Sequence, residues 1–314
     1  MNKKLWLICG TVPEADFPLC MGTWRISGDR LIPDDVRPCS QTGKNAKKTA
    51  IPSVPIRRGT PALAASAILA AQALGAEAPE ILLVGDCGDS KGSSALYEFL
   101  AQWLTSPRSE ELAGLTFHYL FPSVDGHNRI LMALDERTGQ RPVLIADAGF
   151  MYAAKMSGYA SRWDIFTPDA GELAFLADEK APHPFYTRGF LLSDGHDAPT
   201  LARLAHEHGD SARFLLVKGR TDIVVNGGQV TGSVSSPCLP FMEPIGGTGD
   251  LVTGLLTAYA LAGLSEQEAC LAAAQAARFV GQAADPTPAT SVADLMPFIR
   301  EGIRKTAAHR PEKG

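Results

Sequence analysis

The chain has 314 residues, 45% of them hydrophobic, and its 34 acidic against 29 basic side chains leave a net charge of −5. That is enough apolar material for one large α/β domain or two smaller ones, and the acidic balance, with no basic run interleaved with aromatics, excludes a nucleic-acid footprint. No apolar stretch reaches membrane-spanning length uninterrupted, and the six cysteines, scattered without a C-x-x-C pair, read as thiols of a reducing, cytoplasmic compartment rather than as a metal cluster.

Lys3 and Lys4 ahead of Leu5-Trp6-Leu7-Ile8-Cys9 mimic a signal peptide, but the run stops at Gly10 and predicts a buried first strand instead. Residues 16–56 are rich in Pro, Gly and charge. Within them, 23–27 and 30–32 about Gly28-Asp29 predict a hairpin, read as an inserted β-flap or lid or as a plain surface excursion. Thr60-Pro61 opens an alanine-rich helix to Leu74, whose small side chains let it lie close to a sheet. Strands follow at 81–85, 115–121, 142–146, 163–167 and 212–218, with helices at 93–104, 127–134, 170–176 and 199–208. Such alternation with short joints predicts a parallel sheet covered by helices on both faces. Beyond Lys218, 221–226 and 229–235 about Gly227-Gly228 predict a second hairpin, and helices are expected over 251–264, 265–283 and 292–304. With no repeat or low-complexity linker, residues 1–305 read as a single domain and 306–314 as a frayed tail.

Three stretches carry candidate chemistry. In Ile245-Gly246-Gly247-Thr248-Gly249-Asp250, a glycine-rich turn opens directly into a long helix, and its backbone N–H groups at the positive end of the macrodipole make a phosphate seat. An acid beside an anion site repels the anion, so Asp250 either caps the helix or takes a proton from a group attacking the phosphate. In Thr167-Pro168-Asp169-Ala170-Gly171-Glu172, Asp169 and Glu172 fall on one side of a first helical turn. There they form a capping box or hold Mg²⁺ directly or through water. In Lys218-Gly219-Arg220-Thr221-Asp222, two cations astride a glycine leave a buried strand and suit a nucleotide's phosphates or ribose.

Taken in order, TPDAGE, LLVKGRTDIVV and GGTGDLVTGLLTAY resemble the ribokinase-like superfamily, and within it the ADP- or ATP-dependent NAD(P)H-hydrate dehydratases, whose motifs run T-P-H-x-G-E, L-K-G and G-S-G-D. Arg58 to Ala65 and Ile145-Ala146-Asp147-Ala148 are similar to that family's early helix and Asp-Ala-Asp strand end. The resemblance implies an α/β, three-layer αβα sandwich with a mainly parallel sheet. It also implies a nucleotide-dependent phosphoryl transfer in which Asp250 is the base, and Gly247, Thr248 and Gly249 form the anion hole. Lys218, Gly219, Arg220, Thr221, Asp222 and Gly249 would then line the ATP or ADP, Ala62, Gly88 and Asp169 would face the substrate, and Asp169 with Glu172 would order Mg²⁺. The acceptor it implies is a hydrated NAD(P)H. Asp169 stands where the dehydratases carry His and kinase relatives often carry Asn, which keeps a small-alcohol kinase as the alternative.

Other polar groups fit no motif. Asp125 to Arg129 and Pro182 to Arg188 have the make-up of a substrate rim, or of plain loop and cap chemistry. His206 and His208 read as solvated, Lys155 as a snorkelling surface residue, and Arg57-Arg58 as an exposed pair or a contact for an anion. The alanine-rich helix and apolar surfaces permit a homo-oligomer.

Overall fold

The computed structural model describes residues 5–39, 50–181 and 197–309. The chain begins with β1 (Leu5–Val12), a hairpin of β2 (Cys20–Ser27) and β3 (Arg30–Pro38), the short β4 (Val54–Pro55) and α1 (Thr60–Ala73). It continues through β5 (Glu80–Gly85), α2 (Lys91–Trp103), β6 (Leu112–His118), α3 (Val124–Asp135), β7 (Val143–Ala146), α4 (Gly149–Met156), β8 (Ile165–Phe166) and α5 (Ala170–Ala177). Then come α6 (Ala198–Glu207), β9 (Phe214–Val217), β10 (Asp222–Asn226), β11 (Gln229–Val234), α7 (Thr248–Leu261), α8 (Glu266–Ala284), α9 (Val292–Leu295) and α10 (Ile299–His309).

These strands form one 11-stranded sheet whose centre, in the order β9-β8-β7-β6-β1-β5, is parallel. Strand alternation feeds two cores. In β1, Trp6, Ile8 and Val12 pack with α1, α7, α8 and α10, whereas Leu5, Leu7 and Cys9 pack with α2 to α6 on the other face. The result is the expected three-layer αβα sandwich.

Small residues do more in α1 than bring it to the sheet. Its nearest helical partner is α7, where a Cβ on Gly254 would lie 2.4 Å from the Leu63 carbonyl oxygen, and Ser66 Oγ donates to the Leu251 carbonyl at 2.9 Å. This close approach brings the N-termini of α1 and α7 side by side.

Several expectations change. The hairpin within 16–56 is present, and its base joins the sheet: β2 pairs antiparallel with β5, Cys20 opposite Leu83 and Gly22 opposite Ile81. It satisfies backbone groups that β5 would otherwise expose as an edge strand. The helix expected over 292–304 is split around Pro297 into α9 and α10, because proline has no N–H to continue the ladder. At the end of the chain, α10 runs to His309 and Thr306 is buried with its hydroxyl on the Gly302 carbonyl, so 306–309, expected as part of a frayed tail, are helical; 310–314 lie outside the described residues. Lys155 is buried, not snorkelling: its ammonium donates to the carbonyls of Phe175 (2.5 Å) and Asp178 (2.6 Å) at the end of α5 and faces Asp210 at 3.4 Å.

The Asp125 to Arg129 stretch opens α3, capped by Ser123, and is no rim at His127. That imidazole is fully buried, accepts from Trp163 Nε1 at 3.1 Å, and is pushed by burial down to about 4. His206 and His208 are exposed, although His208 Nδ1 also reaches the Ala177 carbonyl at 3.1 Å. Pro182 to Arg188 lie outside the described residues. No described helix is long and apolar enough to cross a membrane.

Candidate active site

The turn before α7 needs its glycines for separate reasons. Gly247 sits at φ 102°, where a Cβ would be strained and would meet Val292 at 2.9 Å, and Gly249 leaves room for Lys218, whose Nζ would stand 3.3 Å from an added Cβ. No side chain caps this helix. The anion seat read from the sequence therefore stands at a helix N-terminus with an ammonium group beside it.

Asp250, in the first turn of α7, does not cap it. The carboxylate reaches out of its own helix: Oδ1 meets His118 Nε2 at 2.9 Å, and Oδ2 accepts the Gly59 N–H at 2.5 Å. Burial pushes this acid up, but the bond and charge of His118, the Gly59 N–H and Lys218 together hold it below the usual carboxylate range. His118 ends β6, and its Nδ1 lies 3.1 Å from Thr60 Oγ1 at the start of α1.

A second carboxylate stands at the end of β7. Asp147 accepts from Lys218 Nζ (2.9 Å), from the Ala148 N–H (2.8 Å) and from Thr253 Oγ1 (2.6 Å). Because the Thr253 proton goes to the carboxylate, the Thr167 hydroxyl, 3.0 Å from Thr253 Oγ1, is the donor in that pair. Burial pulls the Lys218 ammonium down, but Asp147, Glu172 and Asp250 outweigh it and keep the charge in place. His118, Asp147 and Asp250 offer ligand atoms within 4.8 Å of one another. Each already has protein partners, so the trio belongs to a hydrogen-bonded network.

Asp169 and Glu172 form a capping box: Asp169 Oδ1 accepts the Glu172 N–H at 2.8 Å, and Glu172 Oε2 accepts the Asp169 N–H at 2.9 Å. One oxygen of each is engaged in the cap. Glu172 is pushed up to about 8 by burial, and by Asp147 and Asp169 against the pull of Lys218. Carboxylates outnumber the one ammonium here, and carboxylate oxygens are the donors a divalent cation takes.

In the loop Lys218 to Asp222, only Lys218 is seen to reach the turn. Arg220 and Thr221 are exposed, and Asp222 is buried and spent on the loop itself, accepting the Gly219 N–H (2.9 Å) and Arg278 Nε (2.9 Å). From α8, Arg278 also donates to the carbonyls of Gly219 (3.2 Å) and Arg220 (3.0 Å), clamping the loop. Ala62 is fully buried, its N–H on the Gly59 carbonyl. Gly88, at φ 95°, lies in an exposed loop whose neighbours Asp86 and Cys87 line a cavity of about 420 Å³ with Phe17, Leu19 and Lys91. None of the His118, Asp147, Lys218 and Asp250 side chains lines that cavity. Arg57 and Arg58 are exposed just before α1.

Sequence reasoning missed His118, Thr60, Tyr119 and Arg278. Tyr119 is 52% exposed at φ 50°, with Thr11 Oγ1 on its carbonyl (2.7 Å) and its ring edge-to-face with His118. Burial, then the Asp250 and Asp147 charges, push its phenol up to about 12. The signal that could have found this pair is Phe117-His118-Tyr119 at the carboxyl end of a buried strand.

No family model matches the chain. It is 26% identical over 183 residues to the ADP-dependent (S)-NAD(P)H-hydrate dehydratase of Cenarchaeum symbiosum, covering 54% of this chain and 58% of that one. Among solved structures, the pyridoxal kinase of Entamoeba histolytica superposes with a TM-score of 0.50 at 12% identity, over 95% of this chain and 96% of that one. A ribokinase-like superfamily protein of Enterococcus faecalis gives 0.49 at 16%, over 78% and 82%. The uncharacterized protein MJ1337 of Methanocaldococcus jannaschii is 31% identical over 228 residues, which cover 72% of this chain and 92% of that protein. The chain therefore belongs to the family of MJ1337, on a ribokinase-like fold.

Proposed function

We propose that the chain is an enzyme that moves a phosphoryl group from ATP or ADP to a hydroxyl of a small molecule, and that the acceptor is hydrated NADH or NADPH. The observation that carries this reading is Asp250 at the uncapped N-terminus of α7, beside a glycine turn that Lys218 Nζ approaches. The likeness to a NAD(P)H-hydrate dehydratase supports the choice of acceptor. Free thiols among the described residues suit the cytoplasm, where these nucleotides are found.

Backbone N–H groups of Gly247, Thr248 and Gly249 hold the transferring phosphate, and Lys218 offsets its charge. Asp250 orients the acceptor hydroxyl and takes its proton as the new O–P bond forms and the bridging bond of the nucleotide breaks. The ring nitrogen of the hydrate then expels phosphate, the C–O bond breaks, and loss of a proton from the neighbouring carbon restores the double bond. Arg220 and Thr221 line the nucleotide side. Asp169 and Glu172 would hold Mg²⁺, which neutralises phosphate charge when bound.

A second reading, a kinase of a small alcohol, stops after the first transfer. It is favoured by Asp169, which is engaged in the α5 cap at the position where the dehydratases carry His. The test mixes the protein with hydrated NADH, Mg²⁺ and either ATP or ADP, following reduced-nicotinamide absorbance and free phosphate together. Both should rise only with nucleotide. If neither rises but small alcohols drive nucleotide consumption, the kinase reading replaces it; if no acceptor does, phosphoryl transfer is wrong.

A further inference from the structure

The partners of Asp250 come from two other elements, and one of them is a side chain that fits no motif. An ionised carboxylate only accepts, so the 2.9 Å contact with Asp250 Oδ1 places a proton on His118 Nε2. Nδ1 then accepts from Thr60 Oγ1 when the ring is neutral, or donates to it when the ring is charged; the 3.1 Å contact serves both because the hydroxyl rotates. In either state Nε2–H stays on Asp250. The ring is held on its other side by Tyr119, edge-to-face at 4.3 Å, and is fully buried.

From this geometry we infer that His118 is a positioning residue for the reaction, acting through Asp250: it keeps that carboxylate ionised and aimed, so that the acceptor hydroxyl meets a fixed hydrogen-bond acceptor. The inference rests on the phosphoryl-transfer reading above. In a loose transition state the attacking hydroxyl keeps its proton until late, so a fixed anion serves better than a strong but wandering base. Without His118, the pair of acids would stand in a poor environment. Asp250 is 8% exposed, Asp147 Oδ2 lies 3.9 Å from His118 Nε2, and Glu172 from α5 adds a third carboxyl close to Lys218. The charged groups around the pair are thus Asp147, Glu172 and Lys218, with the Tyr119 phenol beside them. The Gly59 N–H and Lys218, already bound to Asp147, are then what opposes the protonation of Asp250 that burial favours.

Two polar isosteres separate this role from a merely structural one. His118→Gln keeps an N–H at the Nε2 position, within reach of Asp250. His118→Asn keeps one near Nδ1, on the Thr60 side, and loses the bond to Asp250. The full-length chain, with ¹³C-labelled aspartate carboxyls and the Asp250 signal assigned through Asp250→Asn, is titrated by NMR. In parallel, the pH dependence of kcat is followed with hydrated NADH as acceptor and with ATP or ADP. The midpoint of Asp250 and the acid limb of kcat should both rise by about one unit in His118→Asn, a tenfold loss of rate on the acid side. His118→Gln should restore both, with KM for nucleotide unchanged in each. An Asp250 midpoint that does not move in His118→Asn overturns the proposal, whatever the turnover. A midpoint that moves in a chain that turns over no acceptor upholds the pair and overturns phosphoryl transfer instead.

Discussion

The starts of α5 and α7 carry the same local signal, a carboxylate in the opening turn of a helix at the carboxyl end of the sheet, and the structure spends the two in opposite ways. At α5, Asp169 takes an extended backbone conformation and closes a reciprocal cap with Glu172, both bonds within three residues. At α7, the cap position is Gly247 in the left-handed region, no side chain closes the turn, and Asp250 bonds groups 132 and 191 residues away. A capping acid stabilises its own helix by about 1 kcal/mol, whereas an acid held by remote elements closes no cap on its own turn. The difference is what supports the proposed role of Asp250 in the chemistry.

The largest test of this contrast is Asp250→Asn. The amide keeps the size of the side chain and can still accept the Gly59 N–H, so the chain should fold and bind nucleotide. Turnover should drop by about 10²–10⁴-fold, measured by phosphate release or nucleotide consumption. A variant with near-normal turnover would reduce Asp250 to a strut between α1 and α7.

Asp169→Ala probes the other side. Loss of the cap should cost about 1 kcal/mol, read as a lower midpoint in urea, with kcat within a few-fold of the parent at saturating Mg²⁺. A loss of turnover as large as that of Asp250→Asn would break the contrast and make α5 a second centre of chemistry.

Much of the fold was legible because its signals are local. The strand and helix alternation, the Gly227-Gly228 hairpin and the motif order lie within short windows, and each element came out close to its place. What was lost depends on partners far along the chain. The β2–β3 hairpin was recognised, but nothing near Cys20 says that Leu83 lies opposite it. Likewise α4 was missed because its eight residues are mostly buried, leaving no polar stripe to set a period. Within the site, Asp250 and Lys218 stood out through the glycines around them. His118 did not, because a histidine ending an apolar strand reads as core until α1 and α7 arrive on either side of it.

Glu172→Gln is the finest test, because it removes an ionisable carboxyl and leaves the cap almost untouched. Glutamine carries the same side-chain length, and its amide oxygen can accept the Asp169 N–H as Glu172 Oε2 does now, so the reciprocal box survives. The change in unfolding free energy should stay within about 0.5 kcal/mol at neutral pH. What remains is the effect on cations. If Glu172 serves only the cap, the Mg²⁺ concentration giving half-maximal turnover should match that of the parent. If it also helps to hold Mg²⁺ close to Lys218, that concentration should rise about tenfold, with the maximal rate recovered at high Mg²⁺. The second outcome is the one the surplus of carboxylates predicts: Glu172 is pushed up by burial, and by Asp147 and Asp169, so it keeps a proton that a divalent ion would displace, supplying the positive charge that the single ammonium of Lys218 does not.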